Sequence, residues 1–331
     1  LGLFDKAIPF LLDAKKIQIK ALGREHPYYG LTLNNLAGIY YRQGKYDLMI
    51  PLLTEAQQIQ AKSLGEDHPK YAMALGNLAA AYHKMGNWEI ALSLNLETKN
   101  IYAKSLGTEH PQYSKALNNL AGSYSDLKQF DMALPLFEEV KEISFKMLGP
   151  NHQSYARALM NLAGTYEDLN KLGLALPLML ESKAIYKKTV GNEFHAYLSC
   201  VVNLANIYTK IQQYDLALAL YLEAKNTYSK VLGTAHPTYA NSINQLAKLY
   251  YKMGKDSLAW ESSILSLEAA SNIELGTDIN KKWCTKLEHN TYSSNEHIES
   301  VINVLPLIYE LLKQNSSVVN KNKQVQVSVL A

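Results

Sequence analysis

The chain has 331 residues, 47% of them hydrophobic and 19% charged, with a formal net charge of +3. So small a charge on this length gives no bulk pull toward nucleic acid or an anionic membrane. No run of about 18 apolar residues occurs, so no membrane-spanning helix is expected, and Cys200 and Cys284 form neither a disulfide framework nor a zinc-ligand set.

In chain order, the first 23 residues end in Leu22-Gly23, and that dipeptide sets a rhythm. It returns as Leu64-Gly65, Leu106-Gly107, Leu148-Gly149, Val190-Gly191 and Leu232-Gly233, always 42 residues apart. A fixed period of this size is the mark of a solenoid. Each unit reads as two helices. In the first, Leu33, Leu36, Ala37 and Tyr40 fall on one face at 100° per residue. Gly44 then acts as a stop signal. Its equivalents are Gly86, Lys128, Asn170, Gln212 and Gly254, so half the copies lack the favoured glycine. The second helix is expected from about Tyr46 to Ser63, with Met49, Leu52, Leu53, Ala56 and Ile59 inward. A small residue recurs at its first contact point, as Ala7, Ala91, Ala133, Ala175, Ala217 and Ala259.

The connection "LGREHPYY" follows. Gly23 supplies the left-handed backbone that ends a helix, and Pro27 suits the first turn of the next. Pro9, Pro51, Pro135 and Pro177 share one position about five residues into the second helix. Either they bend that helix, or the helix begins later, near the proline. Residues 1–23 match a second helix without its first, so the chain is expected to be a fragment of a longer protein cut within a repeat. The expected organisation is a repeat array over 1–272 (a partial repeat, 1–23, then six full ones), an irregular insert over 273–297, and a degenerate repeat helix and tail over 298–331. In that last part Ile302, Leu305 and Tyr309 would take core positions, with Pro306 at the small-residue site.

The pattern resembles the tetratricopeptide repeat, with Leu33 in place of its Trp, then Leu36, Ala37 in place of its Gly, and Tyr40. The 42-residue length and the phrases "LGxxHPxY", "LNNLAxxY" and "GKYDxA" are similar to the kinesin-light-chain type. They also resemble bacterial repeat arrays found next to caspase-like CHAT protease domains. The resemblance implies an all-α, right-handed superhelical solenoid whose first helices line a concave groove. It implies a non-catalytic scaffold that holds an extended protein or peptide segment there. The alternative is a regulatory or sensor arm of a larger protein, such as a CHAT-type protease, with a covalently linked downstream effector domain carrying the chemistry.

The candidate groove residues begin with an amide row: Asn35, Asn77, Asn119, Asn161, Asn203 and Gln245. On the helical wheel Asn35 lies about 200° from Leu33, away from the buried stripe. An amide both donates and accepts, so it can pair with any extended backbone. Bridging between neighbouring helices is the other reading. Asn34 and Asn118 stand beside this row. One turn on are Gly38, Gly122 and Gly164, each costing about 0.5–1 kcal/mol in a helix. Their recurrence points to close approach by a ligand backbone or by the adjacent first helix. Lys115 and Arg157 join the groove within a row of mixed residues. A second row, Arg42, Lys84, Asp126, Asp168, Lys210 and Lys252, is basic at its ends and acidic in the middle. Nucleic acid would require basic residues along the whole groove, so the expected partner is polypeptide.

The histidines His26, His68, His110, His152 and His236 recur in turns, too far apart to ligate one metal. Turn packing or backbone capping is their expected role. The tyrosine rows Tyr29 to Tyr239 and Tyr40 to Tyr250 read as core rings with hydrogen-bonding tips. Cys284 lies near His289 and His297, but nothing supplies an oxyanion site, and no Gly-rich phosphate loop is present. No enzyme activity, cofactor or metal is expected, and the free thiols fit a reducing, cytoplasmic setting.

Overall fold

A computed structural model describes residues 2–43, 45–193 and 195–271, with Val304, Pro306, Leu307 and Glu310 beyond them. Among the described residues the regular structure is helical. Helix α1 (Gly2–Leu22) precedes the pairs α2 (Pro27–Arg42) with α3 (Tyr46–Leu64), α4 (Pro69–Lys84) with α5 (Trp88–Leu106), and α6 (Pro111–Asp126) with α7 (Phe130–Leu148). Then come α8 (Gln153–Asp168) with α9 (Leu172–Thr189), α10 (His195–Lys210) with α11 (Tyr214–Leu232), and α12 (Pro237–Lys252) with α13 (Asp256–Ser271). Packing divides the chain into two units, Leu1–Ile185 and Tyr186–Ala331.

The stripe predicted from periodicity is the core of each pair. In unit 1, Leu33, Leu36, Ala37 and their copies through Leu159, Leu162 and Ala163 are buried. Met49, Leu53, Ala56 and Ile59 of α3 are buried against them, and Ala91, Ala133 and Ala175 have no exposed surface. In unit 2, Val201, Leu204, Ala205, Ile243, Leu246 and Ala247 repeat the pattern with Ala217 and Ala259. The prolines Pro9, Pro51, Pro135 and Pro177 lie inside their helices, so the second helix does not begin at the proline.

Burial of the tyrosines extends to their hydroxyl tips. Tyr29, Tyr71 and Tyr113 donate to Glu55, Glu97 and Glu139 of their own repeats at 2.9, 3.1 and 2.9 Å. In unit 2 Tyr197 donates to Glu223 at 2.7 Å. Each pair ties the start of a first helix to the middle of a second, with ring area buried and the phenol satisfied. The glutamates recur every 42 residues, a signal that was open to inspection in the sequence.

The turns settle the histidines and correct one expectation about the glycines. His26, His68, His110, His152 and His236 are the N-caps of α2, α4, α6, α8 and α12. Each Nδ1 accepts from the backbone N–H two residues on, at 3.1–3.2 Å. This satisfies an N–H that a helix start otherwise leaves orphaned. At the other edge of the turn the backbone is not left-handed helical. Gly65, Gly107 and Gly149 have φ of 88°, 85° and 80° with ψ of 158°, 162° and 171°. That is the mirror image of extended backbone, a region essentially closed to any residue with a Cβ. The glycine recurs because the geometry admits nothing else.

Between first and second helices the left-handed turn is real, but glycine is optional. Gly86 and Gly254 have φ of 76° and 69°, and Lys128, Asn170 and Gln212 hold 60°, 56° and 63° in the same place. The bonds closing the turn are the same whichever residue stands there: Asn87 donates to Tyr82 O at 2.9 Å and Gln129 to Tyr124 O at 2.8 Å. A left-handed non-glycine residue carries a cost of roughly 1–2 kcal/mol, partly offset by glycine's greater entropy loss. Lys128→Gly is therefore expected to raise stability by about 0.5–1 kcal/mol, read as a higher denaturant midpoint at unchanged slope.

Beyond α13, Val304 and Leu307 are buried and Pro306 is exposed. Leu307 packs against Ala247 and Ala259. The expected register put Pro306 on the inner face, and the structure turns it outward. Leu307, one residue on, takes the place against Ala247 and Ala259. Ile302, Leu305, Tyr309 and Cys284 lie outside the described residues, as does the insert.

Candidate functional site

The first helices of unit 1 carry the groove candidates. Asn35 is exposed, while Asn77, Asn119 and Asn161 are half-buried. Two of these amides bridge helices. Asn77 Nδ2 donates to Asn34 Oδ1 at 3.1 Å, joining α4 to α2, and Asn161 Nδ2 donates to Asn118 Oδ1 at 2.7 Å, joining α8 to α6. Asn34 itself is buried and donates to Gly30 O at 3.1 Å. The rungs thus span 43 residues rather than 42. A single repeat's wheel cannot reveal this, because it depends on the axial offset between neighbouring helices.

The rung between α4 and α6 is missing. The position equivalent to Asn34 is Gly76 there. A Cβ on Gly76 would stand in ordinary contact with Thr98 Cγ2, at 3.4 Å. Asn119 accordingly has no amide opposite it. It lines two shallow depressions, of about 100 Å³ with Met73, Gly76 and Lys115, and of about 120 Å³ with Asn118, Lys115 and Arg157. Lys115 and Arg157 are exposed, so the hollow around Asn119 is rimmed by two cations.

A Cβ on Gly38, Gly122 or Gly164 would meet no atom within 4 Å. No neighbouring helix approaches these positions, so helix packing does not explain the glycines. Farther along, His83 Nε2 lies 2.5 Å from Asp126 Oδ2, joining α4 to α6, so one of the two central acids is already paired. A polar vein runs beneath: Asn95 Nδ2 donates to Ser123 Oγ at 2.9 Å, and Ser123 Oγ donates to Asn119 O at 3.2 Å.

In unit 2, Asn203 and Gln245 are half-buried. The glycine position is filled there by Asn206, which accepts from the Tyr221 hydroxyl, and by the exposed Lys248. His195, at the position of Pro27, Pro69, Pro111 and Pro237, places Nδ1 3.3 Å from Ser199 Oγ at the start of α10. Among the described residues no group of three His, Cys, Asp or Glu side chains could hold a metal. No described helix is long and apolar enough to cross a membrane.

The profile of the tetratricopeptide repeat family matches residues 1–48, 28–104, 72–144, 113–188 and 197–261. None of the curated proteins matches. Among solved structures, the chain is similar to the kinesin light chain nearly identical TPR-like repeats of Podosopora anserina. The identity is 29% and the TM-score 0.52, over 62% of this chain and 97% of that one. It shares its fold with BtubC (BKLC) from P. vanneervenii, at 19% identity and a TM-score of 0.57 over 70% and 91% of the two chains. The apo form of RapI shares it too, at 16% identity and a TM-score of 0.59 over 85% and 99%. Repeat length, helix pairing and profile agree, and the chain belongs to the tetratricopeptide repeat family, with likeness to its kinesin-light-chain type.

Proposed function

We propose that the chain is a non-catalytic receptor for an extended polypeptide segment, held on the first helices α4, α6 and α8 of unit 1. The observation that carries this is the open space over Gly122 and Gly164, in helices that otherwise fill such positions with side chains. A strand lying there gains backbone proximity, and the Asn119 amide can donate to its C=O and accept from its N–H. Lys115 and Arg157 set register by taking an acidic side chain, and the exposed Asp168 selects against acids farther along. Asn77 and Asn161, engaged in rungs, hold the helices at the spacing the strand requires.

The test uses the intact chain as bait for a displayed library of random peptides. Captured sequences are then measured against variants. Gly122→Ala with Gly164→Ala is expected to raise stability by about 0.5–1 kcal/mol per site while weakening capture about tenfold. Asn119→Ala is expected to weaken capture roughly three- to tenfold, the value of one or two hydrogen bonds, at unchanged melting temperature. Failure to enrich any peptide, or capture indifferent to all three changes, sinks the proposal.

A further inference from the structure

The hollow between α6 and α8 has a polar floor. Ser144 of α7 stands there, where the second, fourth and fifth repeats have Tyr102, Tyr186 and Tyr228. With a hydroxymethyl in place of a ring, the space above it measures about 120 Å³, room for several water-sized oxygens. Ser144 is only 4% exposed, yet its hydroxyl makes no hydrogen bond among the described residues. A buried hydroxyl left without a partner is costly, and this one faces the hollow.

The groups around it are donors in want of acceptors. Lys115 and Arg157 form no ion pair among the described residues. They share one repeat position, and the other repeats place Leu31, Met73, Ser199 and Asn241 there, so the two cations stand only beside this hollow. Asn118 Oδ1 is already taken by Asn161 at 2.7 Å, which leaves the Asn118 N–H groups to donate. The hydroxyls of Ser114 and Ser154, in the first turns of α6 and α8, line the same space and are likewise unbonded among the described residues. Helix N-termini favour negative charge, and no carboxylate lines the hollow. Such a set fits a ligand that only accepts and carries close to two negative charges. A phosphate monoester offers about −1.5 to −2 and three strong acceptor oxygens, whereas a carboxylate offers one charge and two oxygens. The Arg157 fork pairs with phosphate bidentately. A nucleic acid would carry further phosphates along the groove toward Asp126 and Asp168, the last residues of α6 and α8, so a single phosphate on a polypeptide fits better.

We propose that the hollow between α6 and α8 receives a phosphoserine or phosphothreonine of the bound segment; this rests on the receptor reading above and specifies the acidic group taken by Lys115 and Arg157. In the test, three peptide pools with degenerate flanks and a fixed central phosphoserine, serine or glutamate are passed over the intact chain. The phosphoserine pool should be held about ten- to a hundredfold more tightly than the serine pool, the value of a charge-assisted hydrogen bond, with the glutamate pool between them. Ser144→Tyr, which restores the ring of the neighbouring repeats, should erase that preference. Lys115→Ala with Arg157→Ala should erase it too, with the melting temperature and the hold on the serine pool unchanged. Equal retention of the serine and phosphoserine pools overturns this proposal and leaves the receptor standing, whereas retention of no pool overturns both. A phosphoserine preference that survives both sets of variants, or that oligothymidylate abolishes at equal phosphate concentration, overturns it as well.

Discussion

Gly107→Ala is expected to lower stability by about 2 kcal/mol, within the range set by a residue forced into a glycine-only conformation. At φ 85° and ψ 162° an alanine Cβ collides with its own backbone, although the surroundings offer open space. The penalty is therefore intrinsic to the backbone, and removing neighbours will not relieve it. The turn must either keep the strain or abandon its geometry. Abandoning it would displace His110 from the N-cap of α6, where Nδ1 accepts from Gln112 N–H at 3.1 Å, and add the loss of a cap. Because solenoid repeats are stabilised by nearest-neighbour stacking, damage here should loosen α4–α7 before the rest of unit 1. Urea titration measures the total loss, and hydrogen exchange of α5 and α6 locates it. A stability change below about 0.5 kcal/mol, the ordinary spread for surface substitutions, would refute the backbone argument.

The second large effect concerns alkaline pH. Burial pushes Tyr29 and Tyr113 up to about 12, and their hydrogen bonds to Glu55 and Glu139 add to it. Tyr102 rises to about 12 through burial alone. Tyr71, Tyr155 and Tyr197 are also raised, with burial the main cause. The sign follows from linkage. A folded-state pKa above the unfolded value of 10 means that the native chain holds the phenolic proton more tightly. The contribution to stability is complete below pH 10 and drains away as pH rises from 10 toward 12. Phenolate absorbance should show one set of tyrosines titrating normally and another resisting until the array unfolds cooperatively near pH 12. Replacing Tyr113 with Phe removes one resistant proton and shifts the unfolding pH upward. A single titration centred at pH 10 with the helical signal intact would contradict the buried Tyr–Glu rows.

Most of the fold could be read from the sequence because two periods are superposed in it. The 3.6-residue period of Leu33, Leu36, Ala37 and Tyr40 marks the helix face, and the 42-residue period marks the repeat. The His caps were readable for the same reason. Relations between helices were not readable. The Asn34–Asn77 rung depends on axial offset, which no single wheel contains. The distinction between Gly107 and Gly86 depends on ψ, and both look alike as letters. Glu55 and its copies recur as regularly as the asparagines, yet their role depends on a tyrosine partner in the other helix of the pair, which the letters alone do not show. For the groove, Asn119 was identified by its row, but its isolation opposite Gly76 was visible only once the helices were set side by side.

The rungs join the first repeat to the second and the third to the fourth, with Gly76 between the second and third. Asn118 follows Asn34 by 84 residues, and "LNNLAGSY" follows "LNNLAGIY" by the same distance. The rungs of this half of the chain thus recur as a doublet. Removing the first or the third repeat strands Asn77 or Asn161 without its mate, whereas removing the first two together leaves the Asn118–Asn161 rung whole. Lengthening or shortening such an array is silent at the level of helix pairs and audible at the level of rungs.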